Sequence, residues 1–172
     1  MKVKEISLIA IFVSLMAIGS QIIIPLGPIP FTMQLVVVFL SGFLLKPKNS
    51  LIVQIIYLLL GVFGVPVFSG FSGGMIHIIG PSGGFLISFP FSAFVISLCK
   101  FSKKLSDLFS GFFGLIIVYF IGWCWLRIYT TNFIQAFIVG ILPFIFFDVI
   151  KLFISIYIKN LLLSNLKVFS NS

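Results

Sequence analysis

The chain has 172 residues, of which 60% are hydrophobic, 17% aromatic and only 8% charged. That leaves too little polar surface to cover a soluble globule of this size, so lipid is the expected solvent for most of it. The net charge of +8 comes without an interleaved basic and aromatic surface, which points to the lipid bilayer as partner and away from nucleic acid.

A bilayer crossing takes about 20 mostly apolar residues. Read for such runs and the breaks between them, the sequence predicts an all-α integral membrane protein, a six-transmembrane-helix bundle forming a single membrane domain over 1–172. The first span, about 5–24, stops at PLGPIPF (Pro25 to Phe31), where three prolines forbid a regular helix. Its MKVK start, apolar run and small-residue AIGS also fit a secretory signal peptide, a competing reading. Ala10 and Ser14 lie four residues apart on one face, where small side chains let another helix approach closely. That approach is either packing within the bundle or docking to a separate membrane subunit.

The second span, about 32–45, is short and carries Gln34 just inside it, as a packing hydrogen bond or a ligand contact. The third, about 51–64, follows the polar KPKNS and runs into VFSGFSGGMIHIIGPSGGF, Val67 to Phe85, which holds six glycines. Those glycines permit positive φ and close backbone approach, as a bare outer turn or as the lid or wall of a cavity. No GxxxxGK[ST] pattern occurs, so nothing here cradles ATP phosphates. The fourth span, about 85–101, precedes SKKLSD, and the fifth covers about 108–129. From Thr131 to Leu163 the chain is apolar for longer than one crossing requires, and Gly140 with Pro143 interrupts it. A short outer helix followed by a span of about 148–163 is expected.

Nine lysines (Lys2, Lys4, Lys46, Lys48, Lys100, Lys103, Lys104, Lys159 and Lys167) fall at the termini or in the second and fourth loops. By the positive-inside rule these face the cytoplasm, so both termini are cytoplasmic and the glycine loop faces outward. Only three acids exist: Glu5 beside Lys2 and Lys4, Asp107 in an inner loop, and Asp148 in apolar surroundings. Lys151 stands three residues after Asp148 on the same helical face. The two are either a self-neutralising structural pair or a ligand site in which the helix dipole favours the carboxylate.

The other polar candidates carry less. His77 lacks partners at metal-ligand spacing and reads as a loop or interface residue, so no metal site is supported. Arg127 fits an interfacial anchor, with ligand-carboxylate pairing as the sharper option. Cys99 and Cys124, far from any CxxC spacing, fit reduced packing residues. Phe31, Phe68 and Tyr57 are core or the walls of an apolar pocket. An enzyme using Asp148 or His77 would have to assemble acid–base machinery from one histidine and no nucleophile–base–orienter pattern, so no enzymatic activity and no cofactor are expected.

The blocks IPFTMQ (Ile29 to Gln34), LLLGVFGVPVFSGFSGG (Leu58 to Gly74), GPSGGFLI (Gly80 to Ile87) and LPFIFFDVIK (Leu142 to Lys151), in order and at family spacing, resemble the BioY family, the biotin-capturing S components of energy-coupling factor (ECF) transporters. The resemblance implies a plasma-membrane six-helix bundle that holds one vitamin molecule near the outer face. It also implies docking on a transmembrane coupling subunit that carries two cytoplasmic ATPase subunits. The family's Asp-x-x-Lys falls on Asp148 and Lys151, and a glycine loop around Ser72, Gly73 and Gly74 would close over the ligand. On this reading Asp148 meets a ureido N–H of biotin and Lys151 its carboxylate, or, swapped, Lys151 meets the ureido oxygen. Two positions depart from some members: Ser72, where a larger polar residue can occur, and Leu86, where an arginine can follow the GPxGG block. An S component for another vitamin is the alternative.

Overall fold

The computed structural model describes residues 3–25, 29–99 and 104–170. Lys2, Lys100, Lys103, the end of the fourth expected span and the middle of PLGPIPF lie outside these, as do the side chains of Lys104 and Lys167. The elements run α1 (Val3–Gln21), β1 (Ile23–Pro25), β2 (Pro30–Thr32), α2 (Gln34–Leu44), α3 (Pro47–Val62), α4 (Ile76–Ile79), α5 (Gly83–Leu98), α6 (Lys104–Leu126), a 3-10 turn at Arg127–Tyr129, α7 (Phe133–Gly140) and α8 (Ile145–Ser170).

The fold is mostly helical, as expected, with one short ribbon that the sequence does not predict. The prolines that end α1 do not exclude extended pairing, and β1 and β2 form an antiparallel ribbon with Ile24 opposite Phe31. Pro25 faces Pro30 at its tip, where prolines lacking an N–H are tolerated. Other boundaries shift for local reasons. Helix α3 begins at Pro47, because proline suits the first helical turn, and this draws the polar Asn49 and Ser50 into the helix, both buried. Asp107 is not a loop residue but sits in the first turn of α6, buried and paired with Lys159 of α8 at 2.5 Å. Helix α8 begins three residues before Asp148 and continues beyond the expected end.

Two helices, α1 and the segment Asp107–Tyr129, are long and apolar enough to cross a membrane. Helices α7 and α8 count as a third if their 50° break is taken as one bent span. The shorter apolar helices are α2, α3 and α5. Helix α2, at about 1.5 Å per residue, is far shorter than a bilayer core of about 30 Å. Ten of its eleven residues, Gln34 to Phe43, are buried, so its surroundings are protein and its length need not match the lipid. It packs against α1, α5 and α8, and α5 packs most extensively on α6.

The bundle has two distinct ends. At one, Glu5 pairs with Lys46 at 3.0 Å and Asp107 with Lys159. At the other, the β1–β2 ribbon, the glycine loop and α7 gather. There Gln21 Nε2 donates to Phe68 O at 3.1 Å, Ser20 Oγ to Val67 O at 2.6 Å, and Trp125 Nε1 to Gly80 O at 3.0 Å.

Candidate functional site

Asp148 sits in the first turn of α8, where the helix dipole favours a carboxylate. Lys151, one turn on, donates from Nζ to Asp148 Oδ1 at 2.7 Å, and both side chains are buried, 6% and 7% exposed. The other carboxylate oxygen, Oδ2, accepts from the hydroxyl of Tyr119 on α6 at 2.7 Å. The ammonium also stands 3.6 Å from the ring centroid of Phe31 on β2, a cation–π contact. Phe31 is itself held by Phe144, stacked at 6.4 Å, and Phe147, edge-on at 5.3 Å.

Asp148, Lys151, Tyr119, Phe31 and Phe144 line a cavity of about 440 Å³, with Phe85, Phe89 and Gly140 among its other walls. A second cavity of about 420 Å³ adjoins it, sharing Ile29, Pro30, Thr32, Phe85 and Phe89. The two are lobes of one cleft at the end of the bundle that carries the ribbon and the glycine loop. The first lobe holds both charges and five aromatic walls, Phe31, Phe85, Phe89, Tyr119 and Phe144. The second is lined by Gln34, Phe68, Ser69, His77 and Ser82 and, among the described residues, has no Asp, Glu, Lys or Arg.

Gln34 is locked from behind. Thr32 Oγ1 donates to Gln34 Oε1 at 3.0 Å, Gln34 Nε2 donates to the hydroxyl of Tyr57, and that hydroxyl donates to Val67 O at 2.9 Å. Tyr57 is therefore not a cavity wall but the fully buried support beneath Gln34 and Phe68, whose ring meets it edge-on at 5.6 Å. Phe68 is a wall of the second lobe, and Phe31 of the first.

Ser72, Gly73 and Gly74 line neither lobe. Ser72 bridges Phe68 across a tight turn, its Oγ donating to Ser69 O at 2.7 Å, while Gly74 N donates to Gly61 O at 2.6 Å. A Cβ on Gly73 would meet Val65 O at 2.6 Å, and one on Gly61 would meet the Phe68 ring at 2.1 Å. The glycines thus fold the loop tightly upon itself, and that fold presents Phe68, Ser69 and His77 to the second lobe.

The remaining candidates lie elsewhere. Ala10 and Ser14 are exposed on α1, so their face is not used for packing within this chain. Arg127 donates to Thr130 O at 2.9 Å, stands over the Phe133 ring and lines neither lobe. Cys124 is exposed and Cys99 half-buried, so Cys124 is not the packing residue expected. Tyr119, Thr32, Ser69 and Ser82 escaped sequence reasoning because spacing along the chain does not connect them to Asp148. Tyr119 alone left a signal: a phenol inside an apolar span needs a partner for its hydroxyl.

Several proteins are similar to this chain along most of its length. The probable biotin transporter BioY of Pyrococcus horikoshii is 42% identical over 165 residues, covering 96% of this chain and 99% of that protein. The biotin transporter BioY of Thermotoga maritima is 43% identical over 147 residues, covering 84% and 87%. Among solved structures, the S-component for biotin from an ECF-type ABC transporter superposes with a TM-score of 0.85 at 29% identity, covering 94% of this chain and 92% of that one. A model of the BioY family matches residues 1–167, and the chain belongs to that family.

Proposed function

We propose that this chain captures biotin as the substrate-binding membrane subunit of an ECF-type transporter. The observation that carries the reading at the site is the Asp148–Lys151 pair, buried yet open to the first lobe among aromatic walls. Side by side, it offers one acceptor and one donor without net charge. A ureido ring offers the complement, N–H beside C=O, and an apolar thiophane ring suits the aromatic surround. A carboxylate is a poorer match for Lys151, because it would also face Asp148, whose oxygen is 2.7 Å from the same ammonium. The geometry therefore favours the swapped arrangement: Asp148 on a ureido N–H, Lys151 on the ureido oxygen. Gln34, Phe31 and Phe68 complete the walls, with Tyr57 as support and the Ser72–Gly74 turn shaping the loop.

The protein is a transporter component, not an enzyme, and biotin is cargo for which no resident cofactor is required. With no phosphate-binding loop, accumulation against a gradient depends on a transmembrane coupling subunit and two ATPase subunits. Ala10 and Ser14, small and exposed on α1, suit contact with that coupling subunit. We assign six crossings to α1, α2, α3, α5, α6 and α8 in one plasma-membrane domain, both termini cytoplasmic and the cleft outward. Support for this orientation comes from the lysine-rich end opposite the cleft, where Lys46 and Lys159 stand. Equilibrium titration of the purified protein with biotin tests the reading: saturable binding with biotin recovered chemically unchanged is expected. An absence of binding, or an altered product, would overturn it.

A further inference from the structure

We infer that His77, which lines the second lobe together with Ser69 and Ser82, receives the carboxylate end of the ligand there, and so sets selectivity for the free acid. The inference rests on the biotin reading above and adds to it the residue that reads the far end of the molecule.

The argument begins with donors already used. Thr32 and Gln34, which also line this lobe, are committed to each other and to Tyr57. His77 is not: its backbone N–H donates to Gly74 O, its ring meets the Phe68 ring at 5.5 Å, and neither ring nitrogen has a hydrogen-bond partner among the described residues. The side chains of Ser69 and Ser82 are likewise without a hydrogen bond there, although their backbone carbonyls are used. Three unspent polar side chains thus line one lobe. All three are half-buried, so their hydrogen-bonding atoms are free for a ligand that enters the lobe.

Charge then selects the ligand group. The ureido end belongs beside the ion pair of the first lobe, and a ligand extending through the shared boundary at Thr32, Phe85 and Phe89 brings its other end into the second. Among the described residues no acid lines that lobe to repel a carboxylate. No lysine or arginine lines it either, and Leu86 occupies part of its wall. Among the described residues His77 is the only lining side chain able to carry positive charge, and even as neutral imidazole it supplies one N–H donor.

The test is equilibrium binding of biotin and biotinamide, which differ only in carboxylate against uncharged amide, to the full-length protein and its variants. Wild type should prefer biotin. His77→Ala should weaken biotin about 10- to 100-fold, the range for a lost hydrogen bond to a charged group, and change biotinamide by less than about 3-fold. His77→Gln, which keeps an N–H donor, should recover part of the loss. Lys151→Met should weaken both ligands alike. A His77→Ala protein that keeps the wild-type preference, or a Lys151→Met protein that loses it, would overturn the assignment. Should His77→Ala fail to fold, the Ser69→Ala/Ser82→Ala double variant must narrow the same preference or the assignment falls. A wild type that binds neither ligand defeats the biotin reading itself, a distinct outcome from binding without carboxylate preference.

Discussion

Removing the charge of Asp148 separates a ligand-binding ion pair from a merely structural one. In Asp148→Asn the amide oxygen can still accept from Lys151, and the Tyr119 hydroxyl can turn to accept from the new amide, so the hydrogen-bond geometry largely survives. What is lost is the counter-charge 2.7 Å from an ammonium that is 6% exposed. Breaking a buried pair from one side costs about 3–5 kcal/mol, because one charge remains without compensation. The surviving hydrogen bond places this case near the lower figure, about 3 kcal/mol. Adding Lys151→Met removes the orphan, and about 2 kcal/mol should return in unfolding measurements on detergent-purified protein. Biotin binding should behave oppositely: the single variant falls by about 2–5 kcal/mol, roughly 30- to several-thousand-fold, and the double variant recovers none of it. A single variant as stable as wild type would refute the buried-pair energetics. A double variant that binds biotin normally would remove the pair from the site.

Gly61→Ala forces the Phe68 ring to move, since the added carbon would lie 2.1 Å from it, and overpacking of this kind costs about 1–3 kcal/mol; both thermal stability and biotin affinity should fall. Replacing Ala10 and Ser14 together by Leu should weaken co-purification with a coupling subunit while biotin affinity stays within about 3-fold of wild type; loss of binding with assembly intact would mean the face is misassigned. For orientation, Ser50 is a poor labelling position because it is fully buried, whereas Lys48 and Met75 are exposed at opposite ends of the bundle. After the exposed Cys124 and half-buried Cys99 are replaced, a cysteine at 48 should react only when reagent reaches the cytoplasm and one at 75 from outside. Labelling of position 48 from outside in intact cells would reverse the topology.

The helices and the Asp148–Lys151 pair were legible because their signals are local. Apolar runs, proline breaks and an i, i+3 spacing all lie within one or two turns of chain. The ribbon was hidden because PLGPIPF carries only the signal that stops a helix, and extended pairing depends on a partner strand across a turn. In the glycine loop, positive φ at Gly74 and close approach at Gly73 serve the loop's own closure on Gly61 and Val65, a partner choice that glycine content alone does not reveal. Asp107 was placed in a loop because its partner Lys159 lies 52 residues away, and Tyr119 lies 29 residues from Asp148. Neither pairing has any period that a window along the chain could detect.

All three acids of the chain pair with a lysine, yet the pairs do different work because of where they stand. Glu5–Lys46 leaves its lysine 78% exposed at the end remote from the cleft, where water screens it and its contribution is small. Asp107–Lys159, nearly buried, ties the start of α6 to α8 at that same end. Asp148–Lys151 is comparably buried but borders empty space, and its remaining hydrogen-bonding capacity is directed there. A lone charge in that position would carry a large desolvation penalty and would attract any ion of opposite sign. The neutralised pair avoids both, and it selects a polar, uncharged group that can donate and accept at once. Ligand charge must then be recognised away from α8, and in this chain the second lobe, with His77 at its wall, is the part of the cleft built of donors without acids.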